Sequence, residues 1–175
     1  AETVAGGAVG CRNMILITLG TGVGGGIVAD GRLLEGVGGT GAEVGHTVLV
    51  LDGEDCTCGR KGCWEAYASA TALIRQGKRA AAAQPESLLT GYGEGLTGKD
   101  VFDAAAAGDA AAQAVVDRYC VYVAAGITDL VNILGPEKVL IGGGISRQGE
   151  RLLSPVLVYL AANCFGGHDT LPPVS

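Results

Sequence analysis

The chain has 175 residues, enough for one domain with a real core and short for two. It is 48% hydrophobic with a mean hydropathy of +0.36, which excludes disorder, and its formal charge of −6 argues against a surface that coats nucleic acid. Glycine occurs 31 times without the period of collagen, so backbones are expected to run close to one another or close to a ligand.

The stretch Ala1 to Gly10 has neither a basic start nor a signal-like apolar run, and no apolar run in the chain is long enough to span a bilayer. Opening without methionine, the sequence reads as a fragment or a processed piece. Met14 to Leu19 is a continuous β-forming run and predicts a buried strand, with Val23 to Ala29 as a second. Asp30-Gly31 is a two-residue hairpin signal, after which Arg32 to Glu35 pairs back. Thr47 to Leu51 is a further strand candidate, and Asp52 to Gly62, with no apolar periodicity, a loop. Trp64 to about Ala83 reads as one helix stopped by Pro85, and Glu86 to Gly98 as irregular and exposed.

Thr97 with Asp100 resembles a capping box before a helix over Val101 to Ala107. Asp109 caps a longer helix that Gly135-Pro136 ends. Lys138 to Ile141 is a short strand, Gly142 to Gly144 a tight turn, and a last helix opens near Ser146 and runs to about Cys164. The order predicts one α/β unit, strand-rich in its first third, with no internal repeat and no linker.

Gly20-Thr21-Gly22-Val23-Gly24-Gly25 satisfies the dinucleotide pattern G-x-G-x-x-G formally, but that pattern needs a helix after it. Each glycine here would cost a helix roughly 1 kcal/mol, and the Asp30-Gly31 turn makes a hairpin instead. No Gly-Lys-Ser/Thr follows, so the P-loop is out as well. What remains is a strand-turn-strand whose N–H groups and Thr21 hydroxyl either cradle phosphate oxygens or simply form a glycine-rich hairpin.

Cys56, Cys58 and Cys63 bring three thiols into one glycine-bent loop, which points to a reduced, cytoplasmic compartment and a metal rather than paired disulfides. Three thiolates need a fourth ligand for tetrahedral zinc, and His46 is the nearest; Asp52 and Asp55 are poorer partners for soft sulfur. Such a closed site would be structural, since no position is left for water. A disulfide with a free thiol, or three reduced surface cysteines, are the other readings. Cys11, Cys120 and Cys164 stand alone and read as small buried hydrophobes. Glu43 and Glu65 flank the ligand set in sequence, so a metal would draw them together. Carboxylates suit the vicinal hydroxyls of a sugar, and a metal-bound imidazole keeps one ring nitrogen for another hydroxyl; plain surface charges are the alternative. His168, in Gly-Gly-His-Asp, reads as a solvated loop residue without a role.

Four segments in one order carry a resemblance over nearly the whole chain. They are Leu19 to Ile27, Gly-Ala-Glu-Val-Gly-His over 41–46, Cys-x-Cys-Gly-x-x-Gly-Cys-x-Glu over 56–65, and Val139 to Ile145. The sequence resembles the ROK family (repressors, open reading frames and sugar kinases), above all its bacterial glucokinases. That resemblance implies an actin-like, ribonuclease-H-like α/β fold, of which this chain is the large-lobe portion with a zinc loop. It implies ATP-dependent phosphorylation of glucose or a related hexose at the 6-hydroxyl, with ATP as its Mg²⁺ complex and a homo-oligomer as the assembly. Glu43, His46 and Glu65 would bind sugar hydroxyls, and His46, Cys56, Cys58 and Cys63 would hold Zn²⁺. Gly20, Thr21 and Gly22 would face the ATP phosphates, and Gly142, Gly143 and Gly144 the adenosine.

The family's Asp-x-Gly-Gly-Thr phosphate loop and its catalytic Asn-Asp pair do not occur in this sequence, and the family's catalytic aspartate falls before Ala1. This stretch by itself is therefore expected to be inactive in phosphoryl transfer, which needs a group to accept the hydroxyl proton. A sugar-sensing regulator of the same family and a zinc-stapled interaction module are the competing expectations. The Gly-Thr-Gly turn favours the kinase, which excludes nucleic acid as a partner.

Overall fold

The computed structural model describes residues 2–175, the side chain of His168 excepted, so the reading of that residue lies outside what is described. After a short helix α1 (Glu2–Ala5), strands β1 (Met14–Leu19), β2 (Val23–Ala29) and β3 (Arg32–Leu33) form an antiparallel meander. The chain then crosses the cysteine loop into helices α2 (Glu65–Ala68), α3 (Ala70–Ala83), α4 (Gly98–Ala106) and α5 (Ala110–Leu134). It returns as β4 (Lys138–Gly142) and ends in helix α6 (Glu150–Asn163). The sheet order is β3-β2-β1-β4, and β4 pairs parallel to β1 with Met14 opposite Lys138 and Thr18 opposite Gly142. Residues 173–175 add backbone hydrogen bonds along the outer side of β4.

The strand period of two sorts β1 into two faces. Ile15, Ile17 and Leu19 turn toward the helices and are essentially inaccessible, together with Val23, Ile27 and Val139. Met14 turns the other way, into a small cluster with Ala8 and Leu140. The long helix α5 is the hub of the helical layer, touching α2, α3, α4 and α6. Its Val116, Tyr119, Val123 and Ile127 recur at helical spacing and are buried. Each such buried aliphatic side chain contributes about 1.5–3 kcal/mol by leaving water.

Most elements fall where the residues place them. Asp30 and Gly31 both have positive φ, as a tight hairpin requires, but only Arg32 and Leu33 pair as strand. The Thr97–Asp100 capping box and the Asp109 cap are both formed, and Gly135 closes α5 in the left-handed conformation. Three expectations need correction. Thr47 to Leu51 is not a strand. Val48 makes one isolated bridge to Cys63, and the N–H groups of Leu49 and Val50 both donate to Gly62 O, so the segment belongs to the cysteine loop. The helix expected from Trp64 is broken at Ser69, which is extended and caps α3 through its hydroxyl. The segment Leu88–Gly95 is 3₁₀-helical, and Leu89, with Leu96 just after it, is buried rather than exposed.

Candidate functional site

Parallel neighbours β1 and β4 end side by side, and in open α/β sheets ligands collect beyond such carboxyl ends. Both strands end in glycine turns here. Gly143, with φ of 90°, passes so near Leu19 that a Cβ would lie 2.4 Å from its carbonyl oxygen. Only glycine fits there. A cleft of about 370 Å³ opens between the two turns, lined by Thr18, Gly20, Thr21, Gly22, Gly143 and Glu65 among others. The next glycine, Gly144, lines a second cleft of about 570 Å³ together with Lys99, Asp103, Arg147, Gln148 and Arg151. Asp103 pairs with Lys99 and, at 2.8 Å, with Arg151. The second cleft is net cationic in a chain whose formal charge is −6. No sequence motif marked those three cations; they stand on separate elements that only the fold brings together.

The cysteine loop is held from both sides. His46 ends a single 3₁₀ turn, Val44–His46, and Cys63 lies directly before Trp64, whose ring is buried against α5. Its indole Nε1 donates to Tyr122 O at 2.7 Å, and a Cβ on Gly126 would stand 2.1 Å from the ring. The ligand atoms of His46, Cys56, Cys58 and Cys63 all lie within 4.8 Å of one another. Cys56 Sγ is 3.7 Å from His46 Nδ1, and Cys58 Sγ is 3.6 Å from Cys63 Sγ. Tetrahedral zinc, with Zn–S about 2.3 Å and Zn–N about 2.0–2.1 Å, would set neighbouring ligand atoms about 3.5–3.8 Å apart. The four donors fit such an ion. All six cysteines are free thiols, so the disulfide reading of the trio does not hold.

The thiols titrate unequally. Hydrogen bonds from the Arg60 backbone and guanidinium hold Cys58 down at about 6, and burial pushes Cys63 up to about 12. Arg60 also donates to His46 O, so it both caps the loop and offsets the negative charge that three thiolates would carry. The Gly-Arg-Lys-Gly turn between the last two cysteines was the available signal for it.

Glu65, at the start of α2, joins the two halves of the site. Its Oε2 accepts the Val23 N–H at 3.0 Å, and its Oε1 accepts the Thr57 hydroxyl at 3.1 Å. A Cβ on Gly22 would meet Oε2 at 2.2 Å, so glycine is what lets the carboxylate reach the turn. Thr57 is a contact of Glu65 that composition and spacing did not single out. Glu43 is exposed, three residues before His46, and its carboxylate makes no hydrogen bond or ion pair among the described residues. The structure thus gathers the four metal-type donors, Glu65 and Thr57, and brings the Gly20 turn, Gly143 and Glu65 to one cleft. Gly142 ends β4 and lines neither cleft.

Among the described residues no helix is long and apolar enough to cross a membrane. The chain is 48% identical over 165 residues to a glucokinase of Halalkalibacterium halodurans, covering 92% of this chain and 50% of that protein. In structure it resembles a ROK family glucokinase from Streptomyces griseus in complex with glucose and AMPPNP, with a TM-score of 0.89 and 38% identity over 99% of this chain and 58% of that one. It also resembles a ROK family transcriptional regulator, a homologue of the E. coli MLC protein, with a TM-score of 0.85 and 33% identity over 99% of this chain and 44% of that one. The chain spans about half the length of the curated glucokinases it matches. The α/β architecture is that of the actin-like ATPases. With the profile of the ROK family matching residues 1–165, this chain belongs to that family.

Proposed function

We propose that the intact protein transfers the terminal phosphoryl group of ATP to the 6-hydroxyl of glucose. The observation that carries this reading is the double attachment of Glu65, one oxygen on the glycine turn and the other on the cysteine loop. A carboxylate so placed borders both the turn that would face phosphates and the loop that would face a sugar. That is the adjacency phosphoryl transfer requires.

In this reading Glu43, His46 and Glu65 accept or share hydrogens with sugar hydroxyls. The backbone N–H groups and hydroxyl of Gly20-Thr21-Gly22 meet the donor phosphates, which arrive with Mg²⁺. Gly142 to Gly144 let the nucleoside lie against backbone, and the cationic cleft at Gly144 complements a polyanionic donor. His46, Cys56, Cys58 and Cys63 hold Zn²⁺. The zinc, when bound, supplies fixed geometry rather than an open coordination position. Because His46 Nδ1 faces Cys56, Nε2 remains for the sugar side, and the metal sets the ring's orientation. The kinase reading is favoured over a regulator by the open cleft at the Gly-Thr-Gly turn, which a sugar sensor does not need.

The test is ATP-dependent formation of glucose 6-phosphate by the intact protein, with the same assay on Glu65→Gln. Turnover by the native protein with at least about a hundredfold loss in the variant is expected. Absence of turnover combined with tight glucose binding would instead favour the sensor.

A further inference from the structure

The short helix α2 carries two side chains to two different places. Glu65 reaches the glycine turn, whereas Tyr67, two residues on and therefore about 200° around the helix, lines a separate cleft of about 210 Å³. Arg75 and Arg79 enter this cleft from α3 and Arg118 and Tyr122 from α5, each pair one helical turn apart. Glu54, from the cysteine loop, is the one carboxylate in it. Three guanidinium groups against one carboxylate leave an excess of two positive charges at a single place in an acidic chain.

The hydrogen bonding is incomplete in a specific way. Glu54 is engaged by both terminal nitrogens of Arg79, with Nη2 to Oε2 at 3.0 Å. Arg75 donates from Nη2 to Ala66 O, but its Nε is shut off from solvent and has no acceptor; Glu54 Oε2, at 3.7 Å, is too far for a hydrogen bond. The Arg118 side chain is exposed and makes no ion pair or hydrogen bond among the described residues. A shielded guanidinium N–H without an acceptor is costly, and a second guanidinium with no partner stands at the same cleft. The rings of Tyr67 and Tyr122, 4.8 Å apart between centroids, form its apolar wall.

We propose that this cleft is a second ligand site, and that it binds a phosphate group, free or as a monoester. Donors reach it from α3 and from α5, and a tetrahedral oxyanion presents acceptors in several directions where a planar carboxylate presents them in one plane. The site stands on its own residues and does not depend on the kinase reading. Its reach does extend to that site: the Glu54 N–H donates to Tyr67 Oη at 2.7 Å, and Glu54 O accepts the Gly62 N–H at 2.8 Å within the cysteine loop.

The experiment is a titration of the intact protein with inorganic phosphate and, separately, with glucose 6-phosphate, followed by the NMR signals of the arginine Nε–H groups. Saturable shifts at Arg75, Arg79 and Arg118 are expected, with affinity falling at least about tenfold in Arg118→Ala. Arg118 is exposed, so this variant should fold, and the amide signals of Thr21 and Gly22 should respond as in the native protein. Tighter binding of the ester would identify a phosphorylated metabolite as the ligand, and equal binding the free ion. No saturable shift at Arg75, or shifts unchanged in Arg118→Ala, would overturn the proposal. A missing response confined to Thr21 and Gly22 would count against the kinase reading and leave this site standing.

Discussion

The cysteine loop and the helical layer are held together by opposite means. In the helical layer, Leu73, Val101, Tyr119, Ile127 and Leu160 are sealed from water, and the fold there follows from apolar area removed from solvent. The cysteine loop, residues 46–63, has only Cys63 buried among its side chains, and it is shaped by turns, bridges and four converging side chains. Helical packing tolerates a lost contact by spreading the cost over neighbours. A ligand cluster does not, because removing one donor removes the point that fixes the others. The two regions should therefore fail separately, and their failures should be readable by different instruments.

The largest effect is expected from Cys58→Ser. Zinc content measured by elemental analysis should fall from one per chain toward zero, and glucose affinity by roughly a hundredfold, while far-UV circular dichroism keeps its helical signal. Unchanged zinc content would remove the basis for the loop's assignment. Leu160→Ala is the converse experiment. It should lower unfolding free energy by about 2–5 kcal/mol in a denaturant titration without altering zinc stoichiometry.

Gly126→Ala tests the seam between the two regions, since Trp64 adjoins the last cysteine and packs on that glycine. The added methyl should cost about 1–3 kcal/mol by overpacking, and Trp64 fluorescence should shift as the ring moves. A variant with native stability and an unshifted spectrum would show that the ring is not so confined.

The smallest effect concerns Asp109. The Ala112 N–H, and also the Leu88 N–H and the Ser87 hydroxyl, hold its carboxyl below the usual range. A depressed folded value means that its stabilisation is present above pH of about 4 and is lost as pH falls through the lowered value. Asp109→Ala should cost about 1 kcal/mol at neutral pH. Asp109→Asn should retain most of the cap and flatten the acid limb of the stability curve. Parallel acid limbs for Asn and Asp would place that pH dependence elsewhere.

What could be read from the residues, and what could not, divides along the same line. Strands β1 and β2, the capping box at Thr97 and the Asp109 cap follow from local periodicity and short-range chemistry, and the structure reproduces them. The convergence of His46 with Cys56, Cys58 and Cys63 was legible too, because three cysteines within eight residues leave few partners. Thr47 to Leu51 misled because an apolar run looks alike whether its hydrogen bonds go to a strand or to Gly62 O. The break at Ser69 was hidden since its cause lies outside the helix: the Ala70 N–H donates to Gly20 O, across the chain from the glycine turn. The Lys99–Arg147–Arg151 cleft depends on contacts between distant segments, and no single-sequence pattern encodes it.

In the proposed reading, a metal at His46, Cys56, Cys58 and Cys63 assembles the sugar side of the cleft through His46 and Glu65. Calorimetric titration of glucose into the intact protein, before zinc removal, after it and after zinc is restored, tests this most directly. Affinity should collapse on stripping and return with the ion. Equal affinity in all three states would contradict it.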